Sequence, residues 1–130
     1  MKTKASLAVG LAALALAGCG GGSSNQQQVH TAFNKVVHEL AARNPAACDL
    51  FTKRYALENT GLSNYHAAIA RCRSHTTQHS LSLPKGLRVD SDRVKGNKAT
   101  LRASAPGQGT GIFHFVNESG RWKIDSVTAR

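Results

Sequence analysis

Acidic residues are scarce in this chain of 130 residues: seven Asp and Glu stand against 17 Lys and Arg, a formal charge of +10. Aromatics make up 5% of it, and there are three Cys and three Pro. Together these shortages exclude a collagen, a multi-span membrane protein and an acidic disordered chain. Catalytic signatures are missing too. No GxSxG, HExxH or P-loop pattern occurs, and no pair of carboxylates has the spacing of an acid and base couple. Gly107-Gln108-Gly109-Thr110-Gly111 lacks the Lys and the strand-to-helix setting of a phosphate loop, so it reads as a turn before a strand. The length fits one compact domain.

What is present begins with an address. Lys2 and Lys4 precede an uncharged run, Ala5 to Gly18, rich in Ala, Leu and Val. At ~1.5 Å per residue that run reaches roughly 21 Å as a helix, short of the ~30 Å hydrocarbon core. Residues 1–18 therefore read as a secretory signal peptide rather than a permanent membrane span. Leu16-Ala17-Gly18-Cys19 resembles the bacterial lipobox. The resemblance implies a lipoprotein in which Cys19 carries diacylglycerol and palmitate-type acyl chains, held on the extracytoplasmic face of the cell membrane. Two acyl chains anchor stably where one does so marginally. Gly20 to Gln28 contains no apolar residue, so residues 19–28 read as the lipidated Cys and a flexible tether, with a typical span of roughly 16 Å.

Residues 29–130 carry the pattern of an α+β domain. Val29, Ala32, Phe33, Val36, Val37, Leu40 and Ala41 recur at helical spacing and form one apolar stripe. Asn44-Pro45 suits a cap followed by the first helical position, opening a second helix to about Glu58. Ser63 suits the cap of a third helix in which Tyr65, Ala68, Ile69 and Cys72 share a face. From Leu81 the period falls to two, through Leu81 and Leu83, Leu87 and Val89, Ala99 to Ala103, and Ile112 to Val116. Lys95-Gly96-Asn97-Lys98 predicts a two-residue hairpin turn. Asn117 to Arg121 predicts a longer turn with Gly120 at the bulge position. Pairing Asn117 with Arg121 would set Ile112, His114, Val116, Trp122 and Ile124 on one core-facing side.

Export alters the expected fate of Cys48 and Cys72. Outside the cytosol, two thiols on inward helix faces favour a disulfide over a metal pair or a redox site, with two buried reduced thiols as the alternative. A bridge spanning 24 residues would contribute on the order of 3 kcal/mol in the chain-entropy model.

Three helices, a meander and the terminal Gly120-Arg121-Trp122-Lys123-Ile124-Asp125 resemble the nuclear transport factor 2-like superfamily. The helix opening at Pro45 with Cys48-Asp49-Leu50-Phe51, and Cys72 beyond it, are similar to small lipoproteins of that superfamily found in actinobacteria. The resemblance implies three N-terminal helices on a curved antiparallel sheet of about four strands, a cone with an internal pocket. It also implies a bridge from the second helix to the end of the third. Fold analogy carries no function. The superfamily's isomerases and dehydratases use pocket carboxylates or an Asp and His pair, and no residue here matches by position. Asp125, alternating away from Trp122 and Ile124, is expected to point off the pocket side.

His114 is the candidate of greatest interest, an ionisable ring on an apolar face, with Trp122, Tyr55 and Tyr65 as companions in a pocket. The plainer reading is a neutral histidine hydrogen-bonded in the core, beside a core Trp122. His75 and His79, four apart, lack a third ligand and read as loop histidines; no metal, no cofactor and no catalytic residue is assigned. Without the leader, 15 basic residues face 7 acidic ones, which would draw a tethered domain to anionic headgroups or cell-wall polymers. Nucleic acid is not expected as a partner, for want of a reading helix or an aromatic platform.

The leading expectation is thus a membrane-anchored binding or scaffold module, not an enzyme, with an unidentified small-molecule ligand. The alternatives are a small pocket enzyme using His114 as acid or base with Tyr55 or Tyr65 polarising the substrate, and a lipoprotein acting by protein contact at its surface. Replacing Cys19 by Ser should move the protein from the membrane to the soluble fraction on cell fractionation. Continued membrane association would remove the anchor.

Overall fold

A computed structural model describes residues 24–130. The expected signal peptide, Cys19 and the first residues of the expected tether lie outside the described residues. Among those described, no helix is long and apolar enough to cross a membrane. Helix α1 runs Ser24–Ala41, so Asn25 to Gln28, expected in the tether, form its first turns instead. Gln is a fair helix former, and Gln28 is held from the sheet side: its Oε1 accepts from Trp122 Nε1 at 3.2 Å. Val29, Phe33 and Val36 are buried against the sheet, as their spacing predicts.

The expected second helix is two pieces. A 3₁₀ turn covers Pro45–Leu50, capped by Asn44, whose side chain accepts from the Ala46 N–H. The chain then extends at Phe51 and Thr52 before α2, Lys53–Thr60. Phe51 forms a parallel bridge with Ile124, and the Thr52 N–H donates to the Ile124 carbonyl at 2.9 Å. Helical spacing alone does not reveal this break, because the bond that pulls the backbone straight comes from a strand 70 residues onward. Gly61 closes α2 in the left-handed conformation, at φ 72°.

Helix α3 spans Tyr65–Gln78 with Asn64, not Ser63, as its cap: the Asn64 side chain accepts from the Ala67 N–H. It therefore takes in His75, placed by the sequence in a loop. Cys48 and Cys72 are joined in a disulfide that ties the 3₁₀ turn to α3. Around it Ala56, Ala68 and Ile69 make a second, smaller core. Asp49 and Arg73 pair at 3.0 Å beside it.

Strands β1 (Arg88–Lys95), β2 (Lys98–Ala105), β3 (Gly109–Glu118) and β4 (Arg121–Ala129) form an antiparallel meander in chain order. Leu81 and Leu83, expected to begin a strand, lie instead in an extended connection before β1. The hairpin at Lys95 and Lys98 has the two-residue turn predicted. The last hairpin differs. Ser119 and Gly120 both adopt positive φ, 53° and 86°, which makes a two-residue turn in place of the longer one. Glu118 consequently opposes Arg121, and Asn117 opposes Trp122. A one-residue slip transfers every side chain of a strand to the other face. Phe113 and Phe115 therefore point to the helices, and Ile112, His114 and Val116 do not. Trp122 and Ile124 remain in the core, as expected.

The slip is followed by a bulge at Asp125, between the pairs Phe115–Ile124 and His114–Ser126. Asp125 receives the Thr52 hydroxyl at 2.7 Å and the Arg54 guanidinium at 2.6 Å. Thr52 Oγ1 also caps α2 by accepting from the Tyr55 N–H at 3.1 Å. Helix α2 is thus fixed to the β4 edge through one threonine and one aspartate.

Two outcomes follow for stability. Peptide mapping without reduction should recover Cys48 linked to Cys72, and changing both to Ala should lower stability by about 2–4 kcal/mol in denaturant melts. A loss below about 0.5 kcal/mol would show that the bridge constrains nothing. The Arg54 hydrogen bond holds the Asp125 carboxyl below the usual carboxylate range, aided by Thr52 and by the charges of Arg54 and Lys98. A carboxyl depressed in the folded state contributes stability above its unfolded pKa and loses it as pH falls through the folded one. The melting temperature should therefore drop more steeply below about pH 4 in the parent than in Asp125→Asn. Parallel acid profiles would contradict this role.

Candidate functional site

Small residues at one end of the inner sheet face create the site. On β2 and β3 the inward positions run Leu101, Ala103, Ala105 and Phe115, Phe113, Gly111, Gly109. Leu101 and Phe115 fill the space under α1, while the alanines and glycines leave it open. A cavity of about 360 Å³ results, walled by Phe33, Val36 and Val37 of α1, by Phe113 and Val127 of the sheet, and by Leu83 of the connection before β1. Leu81, Leu83 and Val127 are the three large apolar side chains left exposed among the described residues, and all three line this cavity. Exposed apolar groups gathered at one opening are a better sign of a binding mouth than the same groups scattered.

A second cavity of about 570 Å³ lies between α2, α3 and the same connection. The two share Leu40, Phe51, Tyr55 and Leu81, so they adjoin along those side chains and together make up the candidate cleft, with Tyr55 at the bend where they meet. Both volumes fall within the ~300–1,000 Å³ typical of small-ligand sites. Burial raises the Tyr55 phenol above its ordinary pKa, which keeps it a neutral hydroxyl at the bend. Phe51 packs against it, with ring centroids 5.2 Å apart. Among the described residues no carboxylate lines either cavity; the ionisable groups that do are Tyr55, Arg71, His75 and His79.

The sequence candidates therefore separate. Tyr55 stands in the cleft. Trp122 is in the main core, 4% exposed. Tyr65 packs in the small helical core, with Lys53 Nζ 5.7 Å from its ring. His114 pairs with Thr100 and Ser126 and lines neither cavity, because the tight final turn reverses its strand. Asp125 also lines neither, in keeping with its alternation. Cys72 contributes to the wider cavity as half of the disulfide. His75 and His79 stack at 4.4 Å, and among the described residues no group of three or more His, Cys, Asp or Glu is placed to hold a metal. Sequence reasoning missed Phe113, Leu83, Val127 and Arg71. The alternating Ala103, Ala105, Gly109 and Gly111 were a usable signal, since small residues at core positions leave volume for something else.

The reversed strand also defines the outer sheet face. Arg93, Lys95, Lys98, Arg102 and Lys123 occupy its outward register positions around Ile112, His114 and Val116. Lys123 faces Glu118 at 3.5 Å, while Arg93, Lys95, Lys98 and Arg102 make no ion pair among the described residues. The face is accordingly basic.

Among solved structures, an NTF-2 like protein of unknown function from Silicibacter pomeroyi DSS-3 is similar to this chain. Its TM-score is 0.55 at 18% identity, covering 83% of this chain and 96% of the other. No family model matches the chain, and no curated protein matches it. At that identity the likeness speaks to architecture. The three helices and four-stranded antiparallel sheet have the nuclear transport factor 2-like α+β fold.

Proposed function

We propose that this protein is a lipid-anchored, extracytoplasmic binding module that holds a small, largely apolar ligand between α1 and the sheet. The observation that carries the binding role is the cleft itself: mostly apolar in the arm between α1 and the sheet, open at Leu83 and Val127, and free of carboxylates among the described residues. The superfamily's isomerases and dehydratases use pocket carboxylates or an Asp and His pair, and among the described residues no carboxylate lines this cleft. With His114 on the other face of the sheet, retention accounts for the cleft better than turnover does. The anchor rests on Leu16-Ala17-Gly18-Cys19 and the leader before it. The basic sheet face supports a partner role for anionic headgroups or wall polymers, at up to ~1 kcal/mol per surface cation.

The test uses the full chain with Cys19→Ser, released from the membrane and intact in every described residue. A neutral naphthylamine dye should gain fluorescence on binding it. Val127→Trp, which fills the mouth from an exposed position, should weaken that binding about tenfold without lowering the melting temperature. Absence of dye binding, or equal binding by both proteins, would refute the cleft as a ligand site.

A further inference from the structure

The two ends of the cleft differ in chemistry. From the bend at Tyr55 one arm runs under α1 among Phe33, Val36, Phe113 and Val127. The other runs along α3, where Arg71, His75 and His79 line it. Arg71 and His75 are four apart on α3, and His79, which caps the helix C-terminus in an extended conformation, stacks its ring on that of His75. Arg54, Arg73 and Arg88 each have a carboxylate partner. Arg71 has none among the described residues, and no carboxylate lines the cavity it borders. A guanidinium without a carboxylate partner among the described residues, in a wall shared with two stacked imidazoles and with Asn59, Thr60, Thr76 and Ser80, makes this a polar, cationic end, whereas the arm under α1 is mostly apolar.

We infer that the cleft takes an anionic amphiphile with a single alkyl chain, its carboxylate or phosphate head on Arg71 with His75 and His79, and its chain passing Tyr55 into the arm beneath α1. The inference rests on the binding role proposed above and narrows it to a ligand class. Charge complementarity decides the head. An anion meets the Arg71 fork in a charge-assisted, bidentate hydrogen bond, a neutral head forgoes that gain, and a cationic head is repelled. The apolar arm decides the tail, since a straight chain buries along aliphatic and aromatic walls where a second charged or branched polar group would be desolvated without a partner.

Displacement of the neutral dye from the Cys19→Ser chain provides the test, with dodecanoate, dodecyl phosphate, dodecanol and dodecyltrimethylammonium as competitors below their micellar concentrations. At least one of the two anions should displace dye about tenfold more tightly than the alcohol, and the cation should be weakest. Preference for dodecanoate would assign a free fatty acid, and preference for dodecyl phosphate a lysophospholipid-like head. Arg71→Gln, at an exposed helix position, should erase the advantage of the anion over dodecanol, read as the ratio of their displacement constants. Equal displacement by anion and alcohol, preference for the cation, or an unaltered anion preference in Arg71→Gln would overturn the inference while leaving the cleft a binding site. Failure of the dye itself to bind would instead defeat the binding role.

Discussion

Thr52 stands where the helical unit meets the edge of the sheet, and the shape of the cleft depends on how that joint is made. Its backbone N–H goes to Ile124, its hydroxyl donates to Asp125, and the same oxygen accepts from Tyr55 N–H to start α2. A buried polar side chain is tolerable only when its hydrogen bonds are made, and Thr52, 3% exposed, makes them on both sides of the interface. Arg54, in the first turn of the same helix, adds a charged clamp on Asp125 from outside. Because Phe51 and Tyr55 flank this threonine, the joint also fixes the two rings that form the bend of the cleft.

Two cores divide the structural work. The larger joins the α1 stripe to Leu101, Phe115, Trp122 and Ile124, and is packed where side chains are large. The smaller gathers around the disulfide and holds α2 and α3 together where aliphatic area is limited. A domain of this size has a modest core, and a covalent staple compensates for what burial does not supply. The cleft runs through the seam between the two cores. A seam of this kind remains open because neither core contributes enough side-chain volume to close it.

Much of this was legible in the residues. The α1 stripe, the Asn44-Pro45 cap, the Lys95 hairpin and the core positions of Trp122 and Ile124 follow from spacing and turn chemistry, which are local. The pairing of Cys48 with Cys72 was expected from the helix faces together with a reading of the N-terminus as an export signal. What was not legible turned on single residues. The choice between a two-residue and a longer final turn depends on Ser119 accepting a positive φ, and nothing adjacent signals it. That choice moved His114 out of the core and Phe113 into the cleft. The break at Phe51 and the absence of a strand at Leu81 and Leu83 were likewise invisible, because the first is imposed by Ile124 and the second leaves Leu81 bonded to Leu40 of α1, both remote in sequence.

The sequence alone determined the basic N-terminus with its apolar run and lipobox-like motif, the α+β order of elements, the basic charge and the apolar faces of the helices, since each is a matter of neighbours along one chain. Tertiary structure decided the strand register, the joint at Thr52 and Asp125, and the cleft with its cationic end. Those three arise from contacts between segments far apart in the chain. There the outcome depends on which surfaces meet and how much volume their side chains leave, and no local pattern encodes that.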